Sequence, residues 1–341
     1  MDALLNRFFD DQDRLAAATA MPELGLFTSL LREQLAAGGK RLRPAMCVAG
    51  WQAVSTERAP SLVWRMAASL ELFHTFALVH DDIMDRSVLR RGRPTAHRTL
   101  AALHAGRPDA ESLGVSTAIL LGDLALGWSY ELLQSPGLPS GQLAAVWPVL
   151  NALRTETLVG QYLDLVATGR HSDDAAAARR AILYKTAKYT VERPLQLGAL
   201  LAGATPGQLR TLSAYALPLG EAFQLRDDLL GAFGSTARTG KPALDDLREG
   251  KHTVLTATAL QLADSAQLAV LQQHLGNPHL DEDGADQIRT VLTDTGAVAT
   301  VEQMITDQHA RAARALDDAG FHPAAMAVLL GLAAAASTRA T

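Results

Sequence analysis

Apolar positions recur with helical spacing along nearly the whole chain, and the two-residue alternation that marks strands is absent. Residues 62–84, 112–133, 142–166, 174–201 and 206–230 form long stretches rich in Ala and Leu, and each predicts a helix. Punctuation falls between them, at Gly38-Gly39, Arg91-Gly92-Arg93-Pro94, Ser135-Pro136-Gly137, Gly169, Thr205-Pro206-Gly207 and from Gly234 to Pro242. Thr205-Pro206 reads as an N-cap followed by a first-turn proline. There is no repeat of fixed period and no low-complexity linker. The pattern predicts one all-α domain over residues 1–341, a large helical bundle of about a dozen helices.

Composition narrows the function classes. With 48% apolar and 20% charged residues the chain can fill a core, which argues against disorder. A net charge of −5 argues against a general nucleic-acid binder. The single cysteine, Cys47, permits no internal disulfide, so a reducing cytoplasm is expected and Cys47 reads as core filler. Residues 1–15 carry charged side chains, among them Asp2, Arg7, Asp10, Asp11 and Asp13, in place of an apolar run, unlike a signal peptide. The apolar stretches 195–204 and 326–336 are too short for a membrane span.

Chemistry enters with two aspartate segments, Asp81-Asp82-Ile83-Met84-Asp85 and Gln224-Leu225-Arg226-Asp227-Asp228. Asp81 and Asp85, at i and i+4, project from one helix face, with Asp82 about a quarter-turn away. Stacked like charges repel, so a cation is expected between them. If the two segments face each other across a bundle, their carboxylates can hold magnesium ions and, through them, a diphosphate. Basic clusters accompany them: Gly38-Gly39-Lys40-Arg41-Leu42-Arg43-Pro44, then Arg90-Arg91-Gly92-Arg93-Pro94-Thr95, then Tyr184-Lys185-Thr186, then Gly240-Lys241 and Gly250-Lys251. Each alone reads as a solvated loop. Acidic and basic clusters interleaved suit one metal-bound diphosphate site and one metal-free site.

The order GGKRLRP, DDIMD, RRGRPT, GQYLDL, YKTAKY, FQLRDDLLG and GK…EGK resembles the trans-isoprenyl diphosphate synthases, or polyprenyl synthetases. The resemblance implies an all-helical bundle around a deep central cavity, assembled as a homodimer. It implies magnesium-dependent head-to-tail condensation of isopentenyl diphosphate with dimethylallyl, geranyl or farnesyl diphosphate, using about three magnesium ions per active site. By that resemblance Asp81, Asp85, Asp227 and Asp228 are metal ligands. Arg90, Lys185 and Lys241 clamp the allylic diphosphate, with Gln161 and Asp164 beside it. Thr186 and Gln224 face the developing carbocation, and Lys251 helps close the site. Lys40, Arg43, His74 and Arg91 form the isopentenyl diphosphate pocket. Phe76 and Ala77, five and four residues before Asp81, set product length, and a small residue beside a large one points to the C20 product, geranylgeranyl diphosphate, ahead of C15 farnesyl diphosphate.

One departure is plain. The second aspartate motif of the family commonly reads DDxxD, and here Gly231 holds the fifth position. Asp245-Asp246 reads as a solvated loop, with a second reading in which it lies near Gly231 and compensates. His97 and Asp123 read as structural hydrogen-bonding groups. A terpene cyclase would need no isopentenyl pocket, and a non-catalytic partner subunit would have lost one motif or several cations, so chain elongation is favoured over both.

Overall fold

The computed structural model describes residues 1–134, 140–234, 244–317 and 319–337. It is helical nearly throughout, and the strands among the described residues are one short hairpin. The chain groups into two compact units, Met1–Val48 with Ala59–Ser140, and Ala49–Arg58 with Gly141–Thr341.

The first unit contains α1 (Asp2–Thr19), α2 (Pro22–Ala36), the start of α3 (Leu42–Val54), α4 (Ser61–Met84), the hairpin β1 (Leu89–Arg90) and β2 (Arg93–Pro94), α5 (Ala96–Leu103) and α6 (Ala110–Glu131). α4 packs along α6, with α5 across both. Gly114 lets α6 approach α5 closely: a Cβ there would lie 2.7 Å from the Ala101 nitrogen. Phe8 and Phe9 of α1 meet the Trp128 ring edge-on at 5.6 and 5.8 Å, which ties α1 to α6. By length and composition α4 and α6 could each cross a bilayer. In α4 the apolar window is 72% buried within the protein, as a core helix requires; in α6 only 28% is buried.

The second unit contains α7 (Ser140–Ala167), α8 (Ala175–Ile182), a π-helix (Leu183–Glu192), α9 (Arg193–Leu201), α10 (Pro206–Phe233), α11 (Asp245–Glu249), α12 (Val254–Leu262), α13 (Ser265–His274), α14 (Glu282–Asp294), α15 (Ala297–Arg314) and α16 (Pro323–Ser337). α10 is its axis, packed on the π-helix and on α15. Its start is the expected one: the Thr205 hydroxyl accepts from the Gln208 amide while the Gln208 side chain accepts from the Thr205 amide, with Pro206 in the first turn. Arg226 fixes α10 to α15 through a two-pronged ion pair with Glu302 at 2.5 and 2.6 Å.

The predicted helix over 174–201 is continuous but not uniform. Asp174 caps it by accepting from the Ala177 amide, and ten residues from Leu183 are wound as a π-helix, in which the Arg193 amide reaches back to the Lys188 carbonyl. Pro194 supplies a cause: it has no N–H for the carbonyl one turn back, and its ring would press on that carbonyl in an ordinary helix.

Candidate active site

In the first unit α4 ends in acid. The Asp85 amide still donates to the Asp81 carbonyl at 2.8 Å, so the two residues stand one turn apart, as their spacing predicts. Both sit at the negative end of the helix dipole, which makes a cation there doubly favourable. The chain supplies one by turning back. Arg91 and Gly92, both at positive φ, close the hairpin between paired Arg90 and Arg93 as a two-residue turn. Arg90 then lies against α4, donating through Nε to Asp82 Oδ1 at 2.6 Å and through Nη2 to Asp81 Oδ2 at 3.2 Å. Asp82, only 2% exposed, is thus the anchor of Arg90, a role its quarter-turn offset did not suggest.

Beside this pair lies a small pocket lined in part by Glu71, His74, Thr75, Arg90 and Arg91. Burial holds the His74 pKa well below its usual value, and the positive charges of Arg43, Arg91 and Arg90 push the same way, so the ring is neutral at pH 7. Arg91 donates to the Gly38 carbonyl, and its guanidinium rests over Gly39, where any Cβ would collide with it. Glu71, buried and unforeseen from sequence, pairs with Arg41 at 2.5 Å, and Arg41 also donates to the Leu35 carbonyl at 2.7 Å. The GGKRLRP segment is therefore folded onto α4 by its second cation. Lys40 stands exposed and Arg43 half-buried in the same segment. Five residues before Asp81, Phe76 touches the rings of Phe73 at 5.4 Å and His80 at 4.7 Å. His80 is seated over Gly122, while Ala77 is half-buried. Asp123 lies 3.7 Å from His80, and buried His97 meets the Thr95 hydroxyl at 3.3 Å, structural contacts in both cases. Burial pushes the Cys47 thiol up to about 12, as suits core filler.

In the second unit three helices converge. Lys185 of the π-helix donates to Asp164 of α7 at 2.5 Å. The Thr186 hydroxyl donates to Gln224 Oε1 of α10 at 2.7 Å, and Gln224 Nε2 donates to Asp228 Oδ1 at 2.8 Å. Burial above all, with the charges of Asp246 and Asp164, pushes the Asp228 carboxyl up to about 7 against the opposing Gln224 hydrogen bond and Lys251. Asp227 and, on α7, Gln161 are half-buried. The solvated-loop reading of Asp245-Asp246 does not hold. These residues open α11, and the Asp246 carboxylate lies directly against Gly231: a Cβ on that glycine would come within 3.1 Å of Asp246 Cγ. Asp246 also pairs with Lys251 at 3.2 Å. Lys241 lies outside the described residues.

Among the described residues no three acidic, histidine or cysteine side chains form a ready metal cage. The donor set nonetheless fits magnesium, which prefers oxygen ligands, keeps several waters and is held by one or two carboxylates plus substrate phosphates. The crowding of Asp228 by Asp164 and Asp246 is the kind of like-charge strain that a cation relieves.

The polyprenyl synthetase family model matches residues 25–292. The chain belongs to the polyprenyl synthetase family. Its fold is the all-helical one that the motifs implied, and its activity is that of a prenyltransferase. It is 33% identical over 242 residues to a geranylgeranyl diphosphate synthase of Sulfolobus acidocaldarius, covering 70% of this chain and 68% of that one. A geranylfarnesyl diphosphate synthase of Aeropyrum pernix is 31% identical over 269 residues, 78% of this chain and 79% of the relative. The crystal structure of a geranylgeranyl pyrophosphate synthase from Corynebacterium glutamicum, complexed with isoprenyl diphosphate and magnesium, matches with a TM-score of 0.94 at 38% identity, covering 99% of this chain and 97% of that one.

Proposed function

We propose that this prenyltransferase condenses isopentenyl diphosphate head to tail with dimethylallyl, geranyl and farnesyl diphosphate and releases mainly geranylgeranyl diphosphate, acting as one domain over residues 1–341. The observation that carries elongation, as against cyclisation, is the pocket around His74. Three arginines surround a neutral imidazole there, a setting for a diphosphate that needs no metal. His74, Arg43, Arg91 and Lys40 hold isopentenyl diphosphate. The C20 product is supported by the geranylgeranyl diphosphate synthases among the relatives.

Ionisation of the allylic C–O bond is the charge-separating step, and this chain's residues are arranged to meet its two charges. Arg90, Lys185 and Lys241 take the leaving diphosphate, with Gln161 and Asp164 alongside and Lys251 closing the site. Arg90, gripped by Asp82, is a fixed fork, whereas Lys185, paired with Asp164, acts as a point charge. Gln224 has its amide fixed at both ends, which holds its oxygen beside the Thr186 hydroxyl oxygen, and these two oxygens are the groups that face the developing carbocation. The isopentenyl double bond attacks that cation, and the proton then lost from the new C–C unit passes to the departed diphosphate. No protein nucleophile takes part. Asp81 and Asp85 on α4, and Asp227 with Asp228 on α10, would hold magnesium, which supplies electrophilic neutralisation of the diphosphate when bound. Asp246 stands in for the missing fifth carboxylate. Ile119 and Leu120, 42% and 58% exposed on α6, support a homodimer built on that helix, and the assembly is cytoplasmic.

The test is incubation of purified protein with isopentenyl diphosphate, each allylic primer and Mg²⁺, followed by chromatography of the dephosphorylated products. A C20 alcohol from all three primers is expected, with full loss in excess chelator. Asp81→Asn and Asp227→Asn should each lower turnover at least ~100-fold. A cyclic hydrocarbon formed from the allylic diphosphate alone, or full turnover in chelator, would overturn the proposal.

A further inference from the structure

The π-helix that carries Lys185 and Thr186 is approached from two sides by glycines. On α7 a Cβ at Gly160 would lie 2.8 Å from Lys185 Cα and 2.8 Å from the Tyr184 carbonyl carbon. On α10 a Cβ at Gly220 would lie 2.8 Å from Ala187 Cβ and closer still to Ala187 Cα. These neighbours are backbone or backbone-fixed atoms, so neither can swing aside. One turn beyond each glycine stands the residue that holds the adjacent side chain: Asp164, four after Gly160, takes Lys185, and Gln224, four after Gly220, takes Thr186. Each flanking helix therefore does the same two things at the same spacing. It touches the π-helix backbone through a bare Cα, and it binds the neighbouring side chain one turn later.

We propose that Gly160 and Gly220 are positioning residues that seat the π-helix at the depth where Asp164 and Gln224 can aim Lys185 and Thr186 at the substrate. The inference rests on the reading of those two side chains as substrate-facing groups. A wide π turn lacks the tight register of an α-helix and takes its placement from what packs on it. A methyl at either glycine pushes the flanking helix and the π-helix apart by about 1 Å, a misplacement that costs catalysis on the order of 100-fold. The loss appears in kcat more than in KM, because ground-state binding of the diphosphates does not depend on this alignment alone.

Double-mutant cycles separate positioning from bulk stability. Gly160→Ala is expected to lower kcat ~100-fold in the native background and less than ~3-fold in Lys185→Ala, where no aimed ammonium remains to be displaced. Gly220→Ala should behave likewise against Thr186→Ala. Gly331→Ala, on α16 in a position with nothing within 4 Å, is the control and should change kcat less than ~2-fold. Equal losses in both backgrounds would overturn the inference and leave the proposed function standing. Unchanged activity in Lys185→Ala and Thr186→Ala would instead overturn the roles on which it rests. Should Gly160→Ala not fold, as judged by circular dichroism, the Gly220 arm decides. Should Gly220→Ala not fold, the paired Gly220→Ala/Ala187→Gly variant, relieved of the Ala187 Cβ though not of its Cα, takes its place: a folded enzyme with a restored rate supports the seat, and a folded but unrestored enzyme overturns it.

Discussion

The two aspartate walls solve one electrostatic problem in opposite ways. At the end of α4 the buried second aspartate, Asp82, is met by Arg90 from the chain itself, so it is ion-paired before any ligand arrives. On α10 the second aspartate, Asp228, has an amide as its hydrogen-bond partner, and its charged neighbours are the carboxylates Asp164 and Asp246, opposed by Lys251. The first wall is preorganised by its arginine. In the second, burial and like charge hold Asp228 under strain of the kind a cation relieves, so on the proposed function this wall gains most on binding. A motif read only as paired aspartates hides this difference, because it lies in what surrounds the second carboxylate.

The same substitution should therefore have opposite signs at the two walls. Asp82→Asn leaves Arg90 with its charge buried and poorly matched, and unfolding free energy should fall by ~3 kcal/mol, the scale for breaking a buried pair. Thermal denaturation of metal-free protein reads this directly, and an unchanged midpoint would show that Arg90 is not held by Asp82. Asp228→Asn should stabilise the metal-free protein at pH 8. With its pKa raised from an ordinary 3.8 to about 7, folded Asp228 keeps a proton that the unfolded chain releases, so stability falls as pH rises between those values and the cost is complete above them. The gain should be on the order of 2 kcal/mol, discounted for partial solvent screening. It should be absent at pH 4 and shrink when Mg²⁺ and inorganic diphosphate are added.

A smaller effect tests whether Asp246 belongs to the second wall. Gly231→Ala presses a methyl on the Asp246 carboxylate and should cost ~1 kcal/mol of stability. Asp246→Gly should weaken Mg²⁺ binding in the presence of diphosphate, measured by calorimetry, and Gly231→Asp combined with Asp246→Gly should restore most of it by returning a carboxylate to the same place. No restoration would assign Asp246 to Lys251 alone.

Much of the fold was legible because its signals are local. The Thr205–Gln208 capping box and the apolar period of residues 61–84 need no distant information. The spacing of Asp81 and Asp85 was legible for the same reason. What escaped depends on residues far apart in sequence. Asp82 becomes an anchor only because the hairpin folds Arg90 back onto α4, and Glu71 acquires Arg41 across thirty positions. The π-helix keeps an ordinary apolar period, and its placement is set by glycines on two other helices. Asp246 meets Gly231 from fifteen positions further along the chain, so no motif containing Gly231 could report it.

The smallest expected effect confines a change to the first wall. Phe76 and Ala77 lie on α4 just before Asp81. The Phe76 ring packs between those of Phe73 and His80, and Ala77 beside it is half-buried; on the proposed function Phe76 is a rigid stop and the small Ala77 leaves the path open. Ala77→Phe places a second ring next to the first and should disfavour the longer tail by ~1 kcal/mol, about a fivefold shift of product from C20 toward C15. Phe76→Ala should lengthen the path and give products beyond C20, at a cost in stability because a packed ring is lost. Neither change touches Asp164, Asp228 or Asp246, so the pH response of metal-free stability assigned to the second wall should keep its shape in both variants. A product distribution unmoved in both would place the stop elsewhere. A moved distribution with an altered pH response would show instead that the charge balance of the two walls is not separable.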